Sequence, residues 1–385
     1  MRLQEGAVGA LSGAAVGDAL GGATEGFSPE QIQLRYDGFV TGIVGPFNRD
    51  WKTARPVSPF HKGDGHITDD TLMTESLIAI YEKVQDHLDA YLFAENIIPE
   101  LIEKVRWIPE LHQETLLVHR LFHAERWLVL RLHHAHADPR EGGVGNIVNC
   151  GATMYMAPVG IVNAGDPSAA YKEAIDMTGA HQSSYGREAA GVFAACVAAA
   201  MSPNAKVPDV LEAALSHAHD GTKIALEAVL KEADSISDWR TSLGRLRAAI
   251  APHDSMADAY REPGPDARKP SRLKSIEEFP IALAILKITQ GDFKEGILAA
   301  VNYGRDSDSI ATMFGAISGA MHGRSAIPKE WIETVERESK RDFYANGMKM
   351  AEIAKAIFEK DAARNQRVRA NQETLFSKPI LSRIK

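Results

Sequence analysis

The chain has 385 residues, with 43 Lys plus Arg against 51 Asp plus Glu, a formal net charge of −8 and 45% hydrophobic residues. That balance belongs to a folded globular protein, which sets aside disordered and fibrous classes, and an acidic chain is a poor binder of nucleic acid or anionic membrane. Two cysteines, Cys150 and Cys196, are too few for a disulfide framework; no apolar run reaches the ~18 residues of a membrane span, and the N-terminus lacks a secretory pattern. The expectation is a soluble, cytoplasmic protein whose partners include neither nucleic acid nor membrane.

Strand signals are scarce and helical spacing recurs. The N-terminal stretch is glycine-rich and holds Asp18 and Glu25 within GDALGGATE. Residues 37–66 have no period and read as a loop. In DDTLMTESLIAIYEKV, Leu72, Met73, Leu77, Ile80 and Val84 fall on one helical face. The segment at about 85–140 reads as a helical insert rich in His and Trp. Residues 138–151 form a second, glycine-rich loop. Helices are expected over 187–202, 208–218, 222–233, 239–250, 292–302, 308–322 and 328–360, with a charged, proline-rich loop over 252–272. Several of these helices are Ala- and Gly-rich, which lets helix backbones approach closely. The spacing predicts an all-α, compact single-domain helical bundle over 1–360, followed by a basic, solvated extension at 361–385.

Two helix starts concentrate oxygen ligands. Thr68 stands at the N-cap position before Asp69 and Asp70, and Asp306, Asp308 and Ser309 open the helix at 308–322. Capping and the helix dipole explain either one alone. Together they could converge on one centre, where four carboxylates would repel unless cations neutralised them; oxygen donors of this kind suit Mg²⁺ or Mn²⁺. Glu25 is a further candidate, as base or ligand, and glycines around it allow a tight backbone near a ligand.

The elements GDALGGATE, GHITDDT and GRDSDSIATMFGAISGAMHG, in that order over roughly residues 5 to 325, resemble the ADP-ribosylglycohydrolase superfamily. The resemblance implies an all-α fold with two divalent cations, Mg²⁺ or Mn²⁺, held by Thr68, Asp69, Asp70, Asp306, Asp308 and Ser309. It implies catalytic roles for Glu25 and Asp70, and substrate contacts from Asp18 and from His181 in MTGAHQSS. The ligand-side loop, which is N-G-A-A-M-R in type, corresponds to Cys150, Gly151, Met154 and Tyr155. Two departures stand out there: Tyr155 replaces the arginine, and Cys150 stands where asparagine is usual. Arg305 likewise replaces the second glycine of G-G-D-T-D-T, and is counted with the substrate-side residues.

The implied activity is metal-dependent hydrolysis of an N-glycosidic ribosyl bond. The substrate is an ADP-ribosylated molecule or, given the rewritten loop, a simpler small-molecule N-riboside. The alternative is a catalytically idle, crystallin-like ligand-binding relative, against which the intact acids count. A phosphoester substrate is less well supported, since no phosphate-cradling loop is visible. In the insert, the i, i+4 spacing puts His119 and His123 on one helical face, which can bind zinc, but no H-E-x-x-H pattern completes it. Its histidines are read as surface residues and Trp107 and Trp127 as core. Cys150 has no partnered base in sequence, which argues against a thiol nucleophile. The oligomeric state is open.

Overall fold

A computed structural model describes residues 2–48, 63–253 and 276–377. Most of the two loops expected over 37–66 and 252–272, and the last eight residues, lie outside the described residues. The chain opens with a helix, α1 (Arg2–Gly21), in which glycines recur every three or four residues. A Cβ on Gly9, Gly13, Gly17 or Gly21 would overlap the carbonyl of Gly319, Gly315, Ala311 or Ser307, respectively, and Cβ atoms on Gly315 and Gly319 would overlap the carbonyls of Gly13 and Gly9. Two helices therefore lie backbone to backbone in antiparallel register, a contact that only small residues allow. Every residue of α1 from Gly6 onward is buried.

After α1 come α2 (Pro29–Tyr36), α3 (Asp69–Val84) and α4 (Ala90–Ile102). A hairpin of β1 (Val105–Ile108) and β2 (Gln113–Leu116) and a short α5 (His123–Leu128) follow. Next are α6 (Ala157–Val162), α7 (Pro167–Thr178), α8 (Ser184–Ala200), α9 (Val207–His217), α10 (Asp220–Ala233) and α11 (Leu243–Ile250). The order closes with α12 (Glu278–Ile288), α13 (Phe293–Tyr303), α14 (Ser307–His322), α15 (Lys329–Ser339) and α16 (Phe343–Ser377). The architecture is all-α, as expected, and one large hydrophobic core joins nearly all of its helices. Around the α1–α14 pair pack α13, α16 and α3, while α8 bridges α7, α9 and α14. Among the described residues, no helix is long and apolar enough to cross a membrane.

Four expectations are corrected. The helix at 328–360 is two helices, because Lys340 takes a left-handed conformation (φ 54°) that turns the chain back. Arg341 pins that corner, donating to Glu75 (2.8 Å) and to the Trp107 carbonyl (2.8 Å). The insert is not purely helical, since it contains the β1–β2 hairpin. His119 and His123 do not share a helical face: a 3-10 turn ends at His119, and α5 begins only at His123. The insert histidines at 112, 119, 123, 133, 134 and 136 are exposed, as expected, but Trp107 and Trp127 are half-buried instead of core. Trp127 donates to the Gly142 carbonyl (2.9 Å), and Lys340 stands 3.5 Å above the Trp107 ring. Beyond residue 360, α16 continues to Ser377 without a break, its last buried residue being Ile357.

The close contact of α1 with α14 makes a direct prediction. Gly9→Val, more than two helical turns from Asp18, is expected to destabilise by about 3 kcal/mol through overpacking, lowering the melting midpoint by several degrees. Gly244→Ala, on α11 where a Cβ meets nothing, should be neutral or stabilising by up to about 1 kcal/mol. Equal small effects in calorimetry would mean that the backbones are not in contact.

Candidate metal centre

The register of α1 on α14 sets the C-terminal end of one helix against the N-terminal end of the other. Asp18, one turn from the end of α1, is fully buried. Its carboxylate accepts from the backbone N–H of Thr68 (3.0 Å) and of Thr71 (3.1 Å), and from the Thr71 hydroxyl. Asp18 thus holds the N-terminus of α3, whose free N–H groups favour an anion. Thr68 is the N-cap of α3, as its sequence position implied. Thr24 and Ser307 tie the turn after α1 to α14 (3.0 Å), and two backbone hydrogen bonds join Gly26 and Phe27 to Arg305.

Three helix ends therefore meet, and they bring carboxylates together. Ligand atoms of Asp18, Asp70 and Asp308 lie within 4.8 Å of one another, as do those of Glu25, Asp306 and Asp308. Asp308 belongs to both groups. A third group joins Cys150, Glu278 and Asp306. All these residues are buried. Burial, then the charges of Asp308, Asp18, Asp69 and Asp306, push the Asp70 carboxyl well above the usual carboxylate range. Asp18 is raised to about 6, by burial against the lowering effect of its hydrogen bonds. Asp70 Oδ1 is buried without a hydrogen-bond partner among the described residues. An orphaned carboxylate oxygen amid other carboxylates fits a hard divalent cation, and the donor set suits Mg²⁺ or Mn²⁺ chemistry.

The remaining sequence-derived residues fall around this centre. Cys150 Sγ–H donates to the Asp306 carboxylate (3.1 Å), Ser309 Oγ lies 3.3 Å from the same sulfur, and burial pushes the thiol well up, so it stays protonated. Gly151 lies under Glu125, whose carboxyl would overlap any Cβ at that position. Met154 is buried in the core. Tyr155 and His181 are fully buried against each other: His181 Nε2–H donates to the Ala124 carbonyl (3.1 Å) and Nδ1 accepts from the Tyr155 hydroxyl (2.9 Å). Burial lowers His181 to about 4, so the ring is neutral. Arg305 has a left-handed backbone (φ 57°), the conformation that glycine adopts most easily, and its side chain pairs with Glu277 (2.5 Å). Asp69 stands apart from all three groups and pairs with Arg120 (3.2 Å).

Sequence reasoning missed Glu278, Arg120, Glu110 and Glu125. Glu278 follows Glu277 immediately before the apolar run FPIALAILKI, the same acids-at-a-helix-start signal as Asp69 and Asp70. The insert's buried charges carried no such signal, because histidines dominate that stretch.

Fold and site together define an all-α protein built round a buried carboxylate cluster at converging helix ends. A family model described as ADP-ribosylglycohydrolase matches residues 1–367, and the chain belongs to that family. It is 26% identical over 334 residues to an uncharacterized protein of Archaeoglobus fulgidus, spanning 84% of this chain and 89% of that one. It is also 26% identical over 340 residues to the ADP-ribosylarginine hydrolase Tri1 of Pseudomonas putida, spanning 86% of this chain and 74% of the relative. A solved structure described as an ADP-ribosylglycohydrolase-related protein complex shares the fold, with a TM-score of 0.62 at 19% identity over 92% of this chain and 99% of that one.

Buried acids with raised values make a pH and metal prediction. A carboxyl raised in the folded state favours folding at low pH, and that contribution is lost as pH rises through its folded value. Asp18 at about 6 and Glu125 at about 8 should make the metal-free protein lose stability between about pH 4 and pH 8. Mn²⁺ at a hundred times its Kd should restore about 2.7 kcal/mol. Asp308→Asn should be at least as stable as wild type without metal, yet gain little from Mn²⁺. Melting curves insensitive to both pH and ion in the wild type would contradict this.

Proposed function

We propose that the protein is a metal-dependent hydrolase of an N-glycosidic ribosyl bond, acting on an ADP-ribosylated molecule or a simpler N-riboside. The observation that carries this reading is the pair of carboxylate groups sharing Asp308, which supports a site for two divalent cations, Mg²⁺ or Mn²⁺. Asp70, Asp306 and Asp308, with Thr68, Asp69 and Ser309 around them, would hold the cations. When bound, such ions supply positive charge that holds ribose hydroxyls and acidifies an attacking water.

The chain's own residues supply the rest. Glu25, grouped with Asp306 and Asp308 on a turn fixed to Arg305, is the candidate base for the water's proton. Asp70, grouped with Asp18 and Asp308, adds negative charge where oxocarbenium character develops as the C1′–N bond breaks. The substrate side is assigned to the Cys150–Tyr155 loop and Arg305, with His181 behind that loop through Tyr155, while Asp18, fully buried and bonded to α3, belongs to the carboxylate cluster. Tyr155, where the family pattern has arginine, is uncharged and turned into the core against His181. That substitution favours an N-riboside without the full ADP moiety among the two substrate classes.

The test is a hydrolysis panel with Mg²⁺, Mn²⁺ or EDTA, read by mass spectrometry. It would include ADP-ribosyl-arginine, ADP-ribosyl-serine, ADP-ribose derivatives and simple N-ribosides. At least one substrate should be cleaved with metal and not with EDTA or in Asp306→Ala. Glu25→Gln should lower kcat by about 10²–10⁴-fold with KM little changed. Tight binding of a panel member with no turnover in any metal would support an idle, ligand-binding relative instead.

A further inference from the structure

We infer that Arg120, a residue of the insert, is a positioning residue that orients Asp69 toward the metal centre, which makes the insert part of that centre; the inference rests on the metal-binding reading above. Three observations support it. Arg120 is fully buried, and among the described residues it is the largest side chain to be so. It touches two carboxylates, Asp69 on one side (3.2 Å) and Glu110, itself buried, on the other. Asp69 is more exposed than the other acids of the cluster, at 8% against 2–3% for Asp70, Asp306 and Asp308, and it alone of the four belongs to none of the carboxylate groups.

A buried arginine needs carboxylate partners, and Glu110 already supplies one from the turn between β1 and β2. The second guanidinium contact goes to Asp69 Oδ1, and on this inference Asp69 Oδ2 would be the oxygen offered to a cation. Such an outer partner restricts the swing of a ligand and sets which oxygen it presents. Charge alone works in the opposite direction: a guanidinium near the centre repels cations, so its removal would tighten their binding. The sign of the effect therefore separates positioning from plain electrostatics.

The experiment is Mn²⁺ titration followed by the electron paramagnetic resonance of free Mn²⁺, on wild type, Asp69→Asn, Arg120→Met and the double variant, with circular dichroism to check folding. Arg120→Met should weaken one class of Mn²⁺ sites by about 10–100-fold. Asp69→Asn should weaken the same class, and the double variant should lose little beyond either single change, as expected of residues acting through one another. Unchanged or tighter binding in Arg120→Met, or losses that simply multiply, would overturn the inference. Should Arg120→Met not fold, Glu110→Gln decides: several-fold weakening of that class supports positioning, and wild-type affinity overturns it. A wild type that binds no Mn²⁺ removes the metal reading itself, an outcome distinct from a variant that binds as wild type does.

Discussion

The backbone contact between α1 and α14 is the constraint on which the rest of the molecule depends. Its antiparallel register, set by Gly9, Gly13 and Gly17 against Gly319, Gly315 and Ala311, leaves no freedom to slide by part of a turn without steric overlap. Asp18 therefore arrives beside Asp308, and the turn carrying Glu25 arrives beside Asp306. Asp18 then captures α3 through the Thr68 and Thr71 amides, and α3 brings Asp70 with it. Small residues in one helix pair thus decide where the acids of three elements meet.

The cluster built this way is electrostatically costly. Several buried carboxylates share one region, and their mutual repulsion and burial raise Asp18 and Asp70. Within the protein, the opposition comes from Asp18's hydrogen bonds with α3 and from Arg120, placed in the insert between Asp69 and Glu110. The Asp70 oxygen that has no hydrogen-bond partner among the described residues is what that imbalance leaves. A stable fold tolerates it because the surrounding helices are tightly packed, and a functional site exploits it.

Much of this was legible in the sequence. Acids beside a capping Thr68, and Asp306 and Asp308 opening a helix, announced themselves by position, and the small-residue helices announced close packing. The family resemblance named most of the residues that the structure brings together. What was not legible depends on tertiary contact. Lys340 turns the chain with no glycine or proline to mark it, because Arg341 holds the corner through Glu75 and the Trp107 carbonyl. In the insert, abundant histidines drew attention while Arg120, Glu110 and Glu125 made the buried contacts. A lone charge in a polar stretch has no period or motif, so its burial shows only when the fold is known.

The central claim is that acids from separate elements form one cation centre shared through Asp308. A crystal of the protein grown with Mn²⁺, with anomalous difference density collected at the manganese edge, tests it most directly. The account predicts two peaks with Asp308 as a common ligand, one toward Asp18 and Asp70, the other toward Glu25 and Asp306. An empty cluster, or manganese bound only at the exposed histidines of the insert, would contradict it.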